Sequence, residues 1–569
     1  MSERGIAKAL LVALMGLVGF VALLCLVPPI SRDALVHHLA VPKIYLREGG
    51  MVELPGMEWA YYPMNLTLLY WGALALGSEI LPKFIHFAFG LGTAALIFRY
   101  LKEKIDRTWG LFGALLFFST PVVMKLSTTV YVDLGLSFFS FWATVTLFKA
   151  REDGFQNARG VALAGLLLGL GMGIKYNALP LLMLLTALLG IQVSRTVPRE
   201  RGRDQKALGY AVLFVLMACL AYSPTGIRNT IWTKNPIYPL YNGAIQKIWK
   251  VGEAPKAVVK PEVAEAFSSK KRAKLYPIQV RRLIYNESAL DALLLPVRIF
   301  FEGKDGDHRL FDGRFSPILF LSILSLILWR WAPRDWRFDL AGFHFLSWSF
   351  ILIAISLTSV RVRYLMPIVP HLTVLAVLGI KCAVDLLKAQ GPSAVRYGGT
   401  CVLAGFLGYG VWVSGSYGSY LYNYVKPLDY LSGKVDRDGY VGRYRFEHPT
   451  FLYANAHLKP SDRIFFVNLG KRGYYCDIPY IPDQWGNHFD QISGVAPAGS
   501  PLRTPEEMWR YLRGRGVTHM AAWMDLAWKR VVEGEGWSPE AKRNLQLFLG
   551  RYTREIYHAN GVYLFELRK

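Results

Sequence analysis

Long apolar runs dominate the first three quarters of the chain. Runs able to cross about 30 Å of hydrocarbon begin near residues 8, 81, 109, 129, 159, 177, 207, 315, 340, 364 and 397, which predicts eleven membrane-spanning helices. The stretch from Asn65 to Gly77 is apolar but short, and is expected as a juxtamembrane helix at the interface. Beyond about Leu421 the pattern changes. IFFVNLG and VTHMAAWM read as short buried strands, and PEEMWRYLRGRG and SPEAKRNLQLFLGRY as amphipathic helices. The expected fold is an α-helical polytopic membrane domain over 1–420, with outer loops 28–65 and 228–314, followed by a small C-terminal α/β domain over 440–569. The first run ends in Pro28-Pro29 without a small-residue cleavage site, so it is expected as a retained helix rather than a cleaved leader.

Charge then sets an orientation. With a cytoplasmic N-terminus, every short inside loop is basic: Arg99 to Arg107, Lys149 to Arg159, Arg195 to Lys206, Arg330 to Arg337, and Lys388 with Arg396. An odd number of spans places the C-terminal domain on the opposite, outer side. A formal net charge of +24 would suggest nucleic acid for a soluble protein. At 53% hydrophobic, 19% charged and a mean hydropathy of +0.26, the charge instead belongs to topology and anionic lipid, and nucleic acid is not expected as a partner. The long outer loop is itself basic (Lys250, Lys256, Lys260, Lys270, Lys271, Arg272, Lys274), as loops of that length cross regardless of charge. Four cysteines lie in apolar runs and only Cys476 in a polar segment, so no intrachain disulfide is expected.

Ionisable groups at bilayer depth are costly and therefore mark candidate chemistry. SRDALVHHLAVPK, directly after the first run, carries Arg32, Asp33, His37 and His38; on a helix Asp33 and His37 share a face, suiting Asp33 to act as general base or metal ligand, or simply to cap the helix that follows. STTVYVDLGL places Asp133 beside Tyr131 at the outer end of the fourth span. GLGMGIKYNAL places Lys175 among glycines, where an ammonium suits a lipid-linked phosphate. Arg228 after the seventh span and Arg363 before the tenth are guanidinium forks for phosphate oxygens, and with Lys175 are expected to crown one cavity. Arg361 reads as a snorkelling anchor, and His308 as a loop residue and candidate metal ligand.

The order of these segments resembles the GT-C superfamily of integral-membrane glycosyltransferases, especially bacterial relatives of the protein O-mannosyltransferases and the lipid A aminoarabinose transferases. RDALVHHL matches the acidic position after span one, AYYPMNL the Tyr-Pro element that includes Tyr62, VDLG a second acidic position, and GIKY, IRNTIWTKNPIYP and RYLMPIVP later elements. Many members carry two adjacent acids in the first loop; here Ala34 follows Asp33, which leaves open whether Asp33 acts alone or with Asp133. The resemblance implies transfer of a sugar from a polyprenyl-phosphate-linked donor to a lipid, glycan or protein acceptor at the periplasmic face of a bacterial inner membrane. Asp33 and Asp133 would be catalytic, and Arg32, His37, His38, Tyr62, Lys175, Arg228 and Arg363 would bind substrate or phosphate. A divalent metal is a candidate cofactor, with Asp33, Asp133 and His308 as candidate ligands. The rival expectations are a flippase or transporter for a lipid-linked sugar, disfavoured by the absence of an internal repeat, and an O-antigen polymerase or ligase.

Overall fold

The computed structural model describes residues 2–248, 276–358, 360–484, 486–495, 501–534 and 536–568. Lys250, Lys256, Lys260, Lys270, Lys271, Arg272 and Lys274 lie outside the described residues. Helix α1 (Glu3–Cys25) opens with the Ser2 side chain accepting the Gly5 N–H, and two proline residues soon after its end stop it. The segment that follows α1 is not a bare loop. It holds a π-helical turn (Ala34–His38), α2 (Ala40–Arg47) and the juxtamembrane helix α3 (Asn65–Ala75). There follow α4 (Leu81–Lys104), α5 (Arg107–Phe118), α6 (Pro121–Ser127), α7 (Asp133–Glu152), α8 (Arg159–Met172), α9 (Ala178–Thr196) and α10 (Arg203–Thr233).

By helix length and composition fewer crossings stand out than the eleven expected. Among the described residues six helices are long and apolar enough to cross a membrane, namely α1, α4, α9, α10, Arg334–Leu357 and Val362–Ala389. A seventh appears if α5 and α6, bent by 70° at Ser119-Thr120, count as one span. The runs near 129, 159, 315 and 397 are helical but fall short in length or apolarity. Gly173 ends α8 early, and tyrosine, serine and glycine dilute Ala394–Val425. The buried centre of the membrane part is built on α7 and Val369–Ala389, where Phe141, Phe148, Leu372 and Val374 are fully or almost fully buried.

Beyond Lys426 a five-stranded sheet forms in the order β2-β1-β3-β5-β4, from β1 (Ile464–Val467), β2 (Tyr480–Ile481), β3 (His519–Trp523), β4 (Thr553–Ala559) and β5 (Val562–Leu567). β1 runs parallel to β2 and β3, whereas β5 runs antiparallel to β3 and β4. The β4–β5 turn is Asn560-Gly561, both at positive φ, as a tight hairpin requires. Strand alternation divides the sheet between two cores. Phe465, Val467, Met520 and Ala522 face the helices Pro505–Arg513 and Pro539–Tyr552, while Ile464, Phe466, Ala521 and Leu564 join the cluster that continues into the membrane part.

The segment from Lys471 to Asp477 docks this unit on the segment that follows α1. Lys43 Nζ bonds the Tyr474 carbonyl at 2.6 Å and the Asp477 carboxylate at 2.5 Å; the Tyr475 hydroxyl donates to the Pro29 carbonyl at 2.8 Å. Arg437 adds an ion pair to Glu79.

Candidate functional site

Asp33 begins the π-helical turn but does not cap it, since its side chain accepts no hydrogen bond from the turn. It turns instead toward Arg363, whose Nη1 donates to Oδ2 at 2.5 Å. Burial by itself would raise the Asp33 carboxyl. The Arg363 charge and hydrogen bond, with His37 and His38 nearby, reverse this and hold it well below the usual carboxylate range. His37 is packed against His38 (ring centroids 3.9 Å apart) and stacked on Trp59 (5.6 Å). Burial, only partly opposed by Asp33, pushes its ionisation down to about 4, and burial likewise holds His38 well below its ordinary value. Both rings are neutral at neutral pH; the His38 ring is 3.2 Å from the Thr67 hydroxyl.

The second acid is the first residue of α7. Asp133 is 1% exposed, and Lys175 Nζ donates to its Oδ1 at 2.6 Å. A carboxylate at a helix N-terminus also faces the positive end of the peptide dipoles. His86 of α4 fixes this helix start. The Leu134 N–H donates to its Nε2 at 3.0 Å, which leaves Nδ1–H to donate to the Leu126 and Thr129 carbonyls, each at 2.9 Å. Gly173 fixes Lys175. It lets α3 approach so closely that the Asn65 N–H reaches the Gly173 carbonyl at 2.8 Å, and a Cβ there would stand 2.1 Å from the Asn65 amide nitrogen.

Tyr364 joins the two acid–base pairs. Lys175 Nζ lies 5.1 Å from its ring centroid, Arg363 Cζ 5.5 Å and Arg361 Cζ 5.6 Å, so three cations surround one ring. Arg363 also lies 5.2 Å from the Tyr131 ring. Asp33, Arg363, Arg32, Arg361 and His308 line a cavity of about 510 Å³, closed on its apolar side by the end of α1 and by Tyr420 to Val425. Arg361 is loosely held, 3.6 Å from Asp312 and 3.5 Å from His308.

Of the expected crown of Lys175, Arg228 and Arg363, only Arg363 lines this cavity; Lys175 is engaged by Asp133, and Arg228 serves the backbone of the first segment after α1. The Arg228 Nη2 donates to the Tyr61 and Tyr62 carbonyls at 2.8 and 2.9 Å, and its guanidinium lies 5.3 Å from the Trp232 ring. Tyr62 stands beside it against Trp59 and Tyr176, outside the cavity. The expected metal ligands do not fit an ion either. Asp33 and Asp133 are each committed to a cation, His308 turns to Arg361, and no group of three His, Cys, Asp or Glu converges among the described residues. Sequence reasoning did not single out Arg445 of the cavity, nor Tyr364 and His86, which stand beside the two acid–base pairs. His86 carried a signal, a lone imidazole in the apolar run LPKFIHFAFG; Tyr364 and Arg445 carried none.

Residues 67–223 match a family model described as dolichyl-phosphate-mannose-protein mannosyltransferase. The fold is similar to that of the Archaeoglobus fulgidus oligosaccharyltransferase in its apo form, with a TM-score of 0.55 and 12% identity over 94% of this chain and 72% of that one. ArnT from Cupriavidus metallidurans bound to undecaprenyl phosphate gives a TM-score of 0.54 and 12% identity over 99% of this chain and 98% of that one. No curated protein matches the chain. At such identities the likeness shows a shared fold.

Proposed function

We propose that this chain, a GT-C superfamily glycosyltransferase, moves a sugar from a polyprenyl-phosphate-linked donor to an acceptor hydroxyl in the cavity, with Asp33 as general base. The observation that carries this reading is the Asp33–Arg363 pair, a carboxylate and a guanidinium 2.5 Å apart on one cavity wall. The acceptor oxygen bonds to the sugar's anomeric carbon as its proton passes to Asp33. The bond from that carbon to the phosphate oxygen breaks, and the carrier leaves as a phosphate anion. Arg363 and Arg361 face that developing charge. Phosphate drawing Arg363 toward itself also loosens its hold on Asp33, raising the basicity of the carboxylate when the donor is in place.

Asp133 and Lys175 hold the floor of the site through Tyr364, and we assign them to positioning and to the electrostatic field. Arg228 positions the Tyr61-Tyr62 backbone. The cavity opens on the outer, periplasmic side of a bacterial inner membrane in this reading, supported by the basic short loops at the other helix ends. Mass spectrometry of lipids co-purified with the full chain tests the donor class, and a retained polyprenyl phosphate is expected. Asp33→Asn is expected to keep that lipid but lose sugar transfer by at least about a hundredfold. Full transfer by the variant removes Asp33 from the reaction.

A further inference from the structure

The cavity is more cationic than one departing phosphate requires. Its lining holds Arg32, Lys83, Lys125, Arg361, Arg363 and Arg445 against Asp33, Asp305 and Asp312, six positive side chains less three negative, a formal excess of three. A sugar linked to its carrier through a single phosphodiester brings one negative charge. The excess is also localised. Lys125 is matched by Asp305 at 2.8 Å, Arg363 by Asp33, and Lys83 is absorbed by the Val27 and Pro28 carbonyls at the end of α1.

Arg32 and Arg445 are the unmatched ones: neither has an ion pair or side-chain hydrogen bond to another described residue, and the Arg445 Nε is buried without a partner. Their neighbours in the same region are matched, Arg472 by Glu447 at 3.2 Å and Arg437 by Glu79 at 2.8 Å. A buried guanidinium donor left empty costs free energy that an anion would recover. These two arginines come from different units. Arg32 follows the end of α1, and Arg445 follows the helix Arg437–Tyr444 of the C-terminal unit.

We propose that Arg32 and Arg445 form a second anion subsite, which binds a phosphate or carboxylate carried by the acceptor beside the hydroxyl that receives the sugar. The inference rests on the proposed transfer reaction, in which Arg363 and Arg361 take the donor phosphate. It assigns the acceptor to an anionic glycan or glycolipid and gives the C-terminal unit a direct part in choosing it. The second source of the same chemistry is the additional phosphate of a diphosphate carrier.

Full-length protein in nanodiscs would be titrated with N-acetylglucosamine 1-phosphate, undecaprenyl phosphate and undecaprenyl diphosphate. Wild type would be compared with Arg445→Gln and Arg32→Gln; the exposed Arg32 variant keeps the test open if the other fails to fold. The expected result is a loss of about tenfold or more in affinity for the sugar phosphate in both variants, with undecaprenyl phosphate changed by less than about threefold. A loss confined to undecaprenyl diphosphate overturns the assignment to the acceptor. Unchanged affinity for all three probes overturns the subsite itself. Wild type that binds the sugar phosphate through Arg445 but neither polyprenyl lipid leaves this inference standing and defeats the proposed donor.

Discussion

Asp33 and Arg363 are far apart in sequence and meet in one wall. Because each neutralises the other in a partly dry site, removing one strands the other's charge. Arg363→Gln is expected to cost on the order of 1–3 kcal/mol of stability, with partial exposure keeping it below the fully buried range. In a double-mutant cycle with Asp33→Asn the combined loss should be smaller than the sum, which chemical denaturation in detergent would measure. His37 supplies a pH test. Its ionisation falls from an ordinary value near 6.5 in the unfolded chain to about 4 in the fold, so between those values the unfolded state binds more protons. Its contribution is therefore lost as pH drops from about 6.5 toward 4, and melting temperature should fall over that window. His37→Gln should flatten that slope; an unchanged slope assigns the sensitivity to other groups. At this scale Asp33, Asp133 and Lys175 were legible because a charge in an apolar context stands out. Their partners were not, since no local spacing tells which of several arginines folds back onto Asp33. Arg228 looked equivalent to Arg363 in sequence and serves backbone carbonyls instead.

Among elements, the junction of α3 with the α8–α9 turn depends on one missing side chain. Gly173→Ala places a methyl against the Asn65 amide, which otherwise donates to the Leu170 carbonyl at 3.3 Å. Loss of that hydrogen bond should cost about 1 kcal/mol, and Asn65→Ala in the same background should give part of it back, as paired thermal melts would show. Periodicity and caps made many elements readable. IFFV and HMAAW are β1 and β3, and the Thr504 and Ser538 caps open the two helices expected there. The hairpin β4–β5 was less visible, because the exposed, charged residues of β4 resemble a surface helix in composition. Where glycine and proline cut apolar runs the helices are shorter than the runs themselves: composition reports how apolar a run is, whereas the bend between α5 and α6 and the early end of α8 depend on tertiary neighbours.

For the whole molecule, the membrane part and the sheet share one apolar core, pinned by Lys43 to Asp477 and by Tyr475 to Pro29. The proposed orientation predicts that an alkaline phosphatase fused after the last residue is active in bacterial cells, while the same reporter placed after Lys104 is inactive. The opposite result would put the cavity mouth in the cytoplasm. The composition of the chain announced a membrane protein, but that the C-terminal unit supplies a cavity wall could only be seen once Arg445 was placed in space.

The bend at Ser119-Thr120 links parts that are distant in sequence. The Val122 N–H, freed by the break, donates to the Arg314 carbonyl at 3.0 Å, and the far end of the same short helix offers its Leu126 carbonyl to His86, which in turn receives the N–H following Asp133. The short helix α6 therefore carries a hydrogen-bonded thread from the Arg314 backbone at one end to the start of the helix bearing Asp133 at the other, so the two places share one support.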